Sequence, residues 1–219
     1  MCGRYSLNAP TSQIIEEFEL FSENTSLIER FNIAPTEKVP VIKESLNGTK
    51  ELTEMKWQFI SNKGKLPMVI NVRSETVREK EFFRYSFKYR RCIIPASSFF
   101  EWKKENDEKV PFLIKKHDNS LLGFAAIWER ATDPQGQVIE SVAILTTRPN
   151  SLMKTIHDRM PVILDKENYR TWLNPHFNDE EALAKLLVPA ADTVLEAYRV
   201  SKKVNNARYK SPDIIDEVK

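Results

Sequence analysis

The sequence predicts an α+β fold, one domain over residues 1–219 with a strand-rich core flanked by helices. Three observations point there. Strand signals follow closely through the middle of the chain, helix signals gather toward its ends, and the regular β–α alternation of a doubly wound sheet is missing. No repeat, low-complexity run or flexible linker divides the chain.

Thr11 or Ser12 can cap a short helix whose apolar face is Ile14, Ile15 and Phe18. From Glu51 onward Met55, Trp57 and Phe59 alternate with polar residues, the period of a half-buried strand. Val69 and Ile70 predict another short strand ending at Asn71. Residues 74–90 are charged and aromatic, a helix followed by an irregular basic stretch. Strands are then expected at 92–95, 99–103, 112–115, 121–128 and 142–147, with Asp133-Pro134-Gln135-Gly136 turning the last two into a hairpin. Asn150 caps a short helix leading to His157, and 160–164 reads as one more strand. Asp165 starts a helix through Trp172, and Asn178 with Glu181 has the capping-box pattern for a helix over 180–187. A last strand is expected over 194–200, before an irregular tail containing Ser211-Pro212.

Composition removes many functions. Lys plus Arg number 33 against 31 Asp plus Glu, a net charge of +2, which fits neither a polycation nor an acidic tail. Five glycines, none in GxGxxG or P-loop spacing, leave no phosphate-cradling loop. Two cysteines are too few for a disulfide framework or a CxxC zinc site. The three histidines, 117, 157 and 176, lack HExxH or HxH spacing, so no metal and no cofactor is expected. The longest nearly apolar run, 121–128, is far short of the ~20 residues that span a bilayer. With no basic-then-apolar leader at the start, the expected setting is cytoplasmic, away from membranes.

Three places could carry chemistry. The chain opens Met1-Cys2-Gly3-Arg4, and removing Met1 would leave an N-terminal cysteine with a free amine beside its thiol. Ordinary pKa values of about 7.7–8.0 for the amine and about 8.5 for the thiol leave both usable near neutrality. Such a 1,2-aminothiol condenses with an aldehyde to a Schiff base, and its sulfur then closes a thiazolidine ring. Position alone fits a frayed terminus equally well. Cys92, within an apolar run, reads as a buried structural thiol. Glu101 interrupts an apolar and aromatic strand, where burial would raise its pKa toward acid–base use, unless it faces outward. His157 sits between charged neighbours and a Pro-bounded strand, a position open to proton transfer or to a plain surface role.

Met1-Cys2-Gly3-Arg4, Phe31-Asn32-Ile33-Ala34-Pro35, Met55-Lys56-Trp57, residues 70–76, residues 91–102 and His157-Asp158-Arg159-Met160-Pro161 together resemble the SOS-response-associated peptidase (SRAP) family over nearly the whole chain. One departure is Trp57-Gln58-Phe59-Ile60-Ser61, where the family usually has Trp-Gly-Leu-Ile-Pro. The resemblance implies a bifurcated sheet or partly closed barrel. It implies a protein that senses abasic sites in single-stranded DNA and links to them covalently through Cys2, with Asn71, Glu101 and His157 completing the site. On that reading the Cys2 amine attacks C1′ and its sulfur closes the ring. His157 relays a proton to the sugar oxygen, Glu101 orients the amine and shuttles its proton, and Asn71 holds the amine or a sugar hydroxyl. The resemblance also places Arg4, Arg73 and Arg159 near lesion phosphates, with Pro35 and Trp57 as apolar surfaces against unstacked bases.

The charge pattern adds a phosphate track of its own. Between 78 and 92 stand six basic residues, Arg84, Arg90 and Arg91 among them, against two acidic ones. The interleaved Phe82, Phe83, Tyr85, Phe87 and Tyr89 suit core packing and could also stack bases. The rival function is a cysteine peptidase using Cys2, His157 and Glu101, and a third is a non-catalytic single-strand-binding module. The protein is expected to act as a monomer.

Overall fold

Met55 and Trp57 alternate with polar neighbours because one face of their strand turns toward the interior of a ring of strands. The computed structural model describes residues 2–20, 27–61, 68–132 and 136–218. Strands β1 (Tyr5–Leu7), β2 (Arg30–Ile33), β3 (Lys38–Glu44), β4 (Lys50–Trp57) and β5 (Asn71–Arg73) come first. The middle holds β6 (Arg91–Ala96), β7 (Ser98–Glu105), β8 (Glu108–Lys116), β9 (Leu122–Thr132) and β10 (Val138–Thr147). After these come β11 (Met160–Pro161), β12 (Ile163–Leu164) and β13 (Leu195–Arg199). The helices are α1 (Thr11–Phe18), α2 (Glu81–Tyr89), α3 (Ser151–Lys154), α4 (Tyr169–Leu173) and α5 (Glu180–Lys185).

The larger sheet runs β11-β10-β4-β3-β6-β9-β12, and a further β9–β10 pairing closes β10, β4, β3, β6 and β9 into a ring. Closure removes the open edges of those strands. Its β6 and β9 are buried along most of their length, which is why 121–128 reads as an unbroken apolar run. β5 lies parallel to the end of β10, with Asn71 opposite Ile144 and Arg73 opposite Thr146. The second sheet runs β13-β8-β7-β1-β2. Strand alternation divides β7 between two cores: Phe99 packs into the main one, and Phe100 into a smaller one with Leu113, Val200, Val204 and Ile214. Glu101, two residues after Phe99, therefore points to the main-core side and is only 2% exposed.

One glycine is fixed by close approach. A Cβ on Gly123 would lie 2.6 Å from the Tyr169 hydroxyl, so the bare backbone of β9 lets the α4 ring seat against the barrel.

The α+β class and the single sheet-dominated unit agree with the sequence reading, and several boundaries move. The helix near residue 11 starts at Thr11 itself after Pro10, with no side-chain cap; the Thr11 hydroxyl instead accepts from the Leu27 amide at 2.9 Å. The strand expected at Val69 begins at Asn71, Val69 making only a bridge to Phe59. Residues 160–164 form two short strands, β11 against β10 and β12 against β9. The helix from Asp165 opens as a 3-10 turn, Lys166–Asn168, without an Asp165 cap. Asp179, not Asn178, caps α5, accepting from the Glu181 and Ala182 amides. Asn150 does cap α3, accepting from the Met153 amide at 2.9 Å. Residues 133–135 of the expected turn lie outside the described residues; β9 and β10 pair antiparallel on either side, Thr132 opposite Val138. Among the described residues, no helix is long and apolar enough to cross a membrane.

Candidate active site

Four of the residues singled out by sequence meet where β5, β7 and the loop after α3 approach the N-terminal segment. β1 is held between β2 and β7, which places Cys2 at the edge of the main core with no exposed surface. Asn71, the first residue of β5, donates from Nδ2 to the Cys2 carbonyl oxygen at 2.8 Å. Its Oδ1 is buried and has no hydrogen-bond partner among the described residues. Glu101 reaches the same place from β7, and its Oε2 lies 4.0 Å from His157 Nε2.

His157 is held from its other side. Its backbone amide donates to Met153 O in the last turn of α3 at 2.7 Å, and the Arg159 amide donates to Nδ1 at 3.0 Å. Asp158 Oδ1 also stands 3.0 Å from Nδ1, so that nitrogen meets both a donor and an acceptor, while Nε2 is turned to Glu101.

Burial dominates the electrostatics. It raises the Glu101 pKa above the usual carboxylate range, opposed by the neighbouring His157. Burial, and then the Glu101 charge, push the Cys2 thiol far above its ordinary value. Cys2 Sγ has one weak contact, to Arg4 O at 4.0 Å. Cys92 is also fully buried with its thiol pushed up, as expected of a structural residue. Among the described residues, no group of three His, Cys, Asp or Glu side chains is placed to hold a metal ion.

A cleft of about 440 Å³ opens at the Glu101–His157 side of this cluster, lined by Glu101, Trp102, Lys109, His157 and Asn205. Trp102 Nε1 donates to Asn205 Oδ1 at 2.7 Å, fastening the C-terminal segment to one wall. Trp102, Lys109 and Asn205 were not singled out as site residues. The available signals were Trp102 beside Glu101 and the Val204-Asn205 pair near the chain's end.

The expected DNA contacts divide. Arg73 shares the Asn71 face of β5 and is exposed, as is Arg84 on α2, and Pro35 is partly exposed. Trp57 is fully buried, donating to Ile70 O at 3.0 Å and meeting Tyr5 edge to face, so the expectation that it lies against bases is corrected. Arg4 is committed within the fold, its Nη1 donating to Asn32 Oδ1 at 2.8 Å and Val204 O at 2.7 Å. Arg159 forms a two-pronged ion pair with Glu75 at 2.6 and 2.8 Å and also donates to Thr146 O. Both guanidiniums are thus engaged within the fold, each with its Nε lacking a partner among the described residues. Arg90 pairs with Glu129 and lies over the Tyr85 and Trp128 rings. Arg91, 3% exposed, donates to the carbonyls of Phe87, Lys88, Trp172, Asn174 and Phe177 and leaves the expected track entirely. Of the α2 aromatics, Phe83 and Phe87 are core, while Tyr85 and Tyr89 are exposed.

A family model described as SOS response associated peptidase (SRAP) matches residues 1–207. The chain is 38% identical to the abasic site processing protein YoqW of Bacillus subtilis (strain 168), with 99% of each chain covered. It is 30% identical to the abasic site processing protein YedK of Escherichia coli (strain K12), with both covered completely. The abasic site processing protein HMCES of Xenopus tropicalis is 29% identical, over 84% of this chain and 64% of its own length. Among solved structures, a protein from Bacteroides thetaiotaomicron superposes with a TM-score of 0.87 at 27% identity, covering 99% of this chain and 100% of its own.

Proposed function

The chain belongs to the SOS response associated peptidase family, and from that premise we propose that it processes abasic sites in single-stranded DNA by linking to them through Cys2. The relatives' names support abasic-site processing in general. The chemistry of this cleft supports the finer reading.

Removal of Met1 frees the Cys2 amine. The amine adds to C1′ of the ring-opened deoxyribose aldehyde, and loss of water gives an iminium. The thiol then adds to that same carbon, giving up its proton, and closes a five-membered thiazolidine. The net change is one water lost per protein–DNA adduct. Glu101 takes and returns the amine's proton, a role suited to a carboxyl whose burial moves its pKa toward neutrality. His157 relays a proton from Nε2 to the sugar oxygen as the hemiacetal opens, acting from the doubly protonated ring with Asp158 Oδ1 beside Nδ1. Asn71 Oδ1 is an acceptor for the amine or a sugar hydroxyl.

The observation that carries this reading is the meeting of Cys2, Asn71, Glu101 and His157 at one place in the fold. A cysteine peptidase needs a thiolate paired with its histidine. Here His157 Nε2 faces Glu101 at 4.0 Å, and burial favours the neutral form of the Cys2 thiol. A thiol in that state suits the second step, after the amine has formed an electrophilic iminium beside it.

Intact-mass analysis of des-Met protein incubated with an abasic single-stranded oligonucleotide tests the proposal. The expected product weighs protein plus DNA minus one water and survives heating. Cys2→Ser, which keeps the amine, gives only a labile adduct that borohydride traps. Equal heat-stable adducts from both proteins would overturn the thiazolidine.

A further inference from the structure

We propose that Lys109 is the phosphate-binding residue of the catalytic cleft, gripping the backbone of the strand that carries the lesion. This rests on the reading above only in taking single-stranded DNA as the ligand. A strand entering the cleft brings phosphates, and some cation there must meet them. Of the arginines expected beside the lesion, Arg4 is tied to Asn32 and Val204, and Arg159 to Glu75. Arg73 is exposed but does not line the cleft. Lys109 does, as the one lysine or arginine among its lining residues, and its side chain is exposed. It has no ion pair or side-chain hydrogen bond among the described residues.

The strand pairing adds to its suitability. Lys109 stands directly opposite Lys104 across the β7–β8 pair, a like-charged neighbour that offers it no partner. The carboxylates beside it are both engaged: Glu108 holds Lys202 at 2.6 Å, and Asp107 holds Lys104 at 2.8 Å. A flexible point charge also suits a phosphate that shifts as the sugar opens, where a rigid guanidinium fork would not follow. The bland alternative is a charged strand residue kept for solubility, which would leave DNA binding indifferent to its loss.

The test uses full-length des-Met wild type, Lys109→Gln and Lys109→Arg with one abasic oligonucleotide and its intact-base counterpart. Fluorescence anisotropy is read at several salt concentrations between roughly 50 and 200 mM. Lys109→Gln should weaken both oligonucleotides several-fold and reduce the log–log salt slope by about 0.7, one single-strand phosphate contact. Lys109→Arg should restore most of both. The DNA concentration for half-maximal crosslinking should rise by the same factor as the Kd. A salt slope identical to wild type overturns the proposal. So does a lower plateau rate of crosslinking with Kd intact, which would make Lys109 part of the chemistry. If wild type binds DNA without crosslinking while the Lys109→Gln slope still falls, the crosslinking mechanism fails and this inference stands. If wild type does not bind single-stranded DNA, both fail.

Discussion

The corner where α2 runs into β6 and the cleft over β7 handle buried charge in opposite ways. At the corner, Arg91 sits inside the protein with five carbonyl oxygens around it, and Arg90 beside it has Glu129 and two aromatic faces. Burial lowers the Arg91 pKa to about 10, which still leaves it charged at neutral pH. At the cleft, Glu101 and Cys2 are buried as deeply, yet their surroundings shift the protonation of both toward the neutral form. A buried charge that is fully hydrogen-bonded becomes part of the fold. A buried acid whose ionised form is poorly compensated stays poised to exchange a proton. The difference predicts that substitutions at the corner damage stability and those at the cleft damage chemistry.

Glu101→Gln is the largest effect expected. Removing an acid–base group should slow crosslinking by about 10²–10⁴-fold in single-turnover assays. Its stability should move the other way. The native Glu101 pKa is raised, so the folded state binds that proton more tightly than the unfolded chain. Wild type therefore loses stability as pH rises from the ordinary glutamate range through the native pKa, while glutamine does not titrate. Urea melts at about pH 4 and pH 7 should show the variant gaining on wild type with rising pH; a pH-independent difference would mean the native carboxylate is well compensated.

Next comes Arg91→Met, which strips donors from five buried carbonyls and should cost about 3–4 kcal/mol in denaturant unfolding. Residual folded protein should crosslink at the wild-type rate, and a specific loss of crosslinking would blur the division between the two regions. Gly123→Ala is smaller. The new methyl must push back the Tyr169 ring, for about 1–3 kcal/mol, read as a lower Tm. Arg84→Ala, on the exposed face of α2, should stay within about 0.5 kcal/mol of wild-type stability.

Legibility follows the same line. Strands β6, β9 and β10 could be read because burial there is nearly continuous over at least six residues, while β7 and β8 offer only about four buried or alternating positions each. β1 was missed because three residues carry no period, and β3 because Pro40 breaks the polar–apolar rhythm within it. The strand expected at Val69 starts instead at Asn71 because the apolar Val69 and Ile70 lie just before it, while pairing with β10 defines its start. At the site, Cys2, Asn71, Glu101 and His157 stood out through motifs whose resemblance is to a family, and their meeting place could not be read from spacing. The arginines misled for a physical reason. A guanidinium looks the same in sequence whether it faces solvent, as Arg73 does, or a cage of carbonyls, as Arg91 does. Nothing local marks Lys109, a lysine beside a hairpin turn; only folding brings it into the same cleft as His157.

The hydrogen bond from Arg4 to Val204 O joins residues 200 positions apart, and Asn32 binds the carbonyls of Asn206 and Tyr209 in the same way. Closures of such span form late, because the chain must search widely before they are rewarded. During synthesis the ribosome releases the N-terminal end long before residue 204 emerges. Even once β7 has emerged beside it, β1 still lacks the C-terminal segment that holds Arg4 in the finished fold.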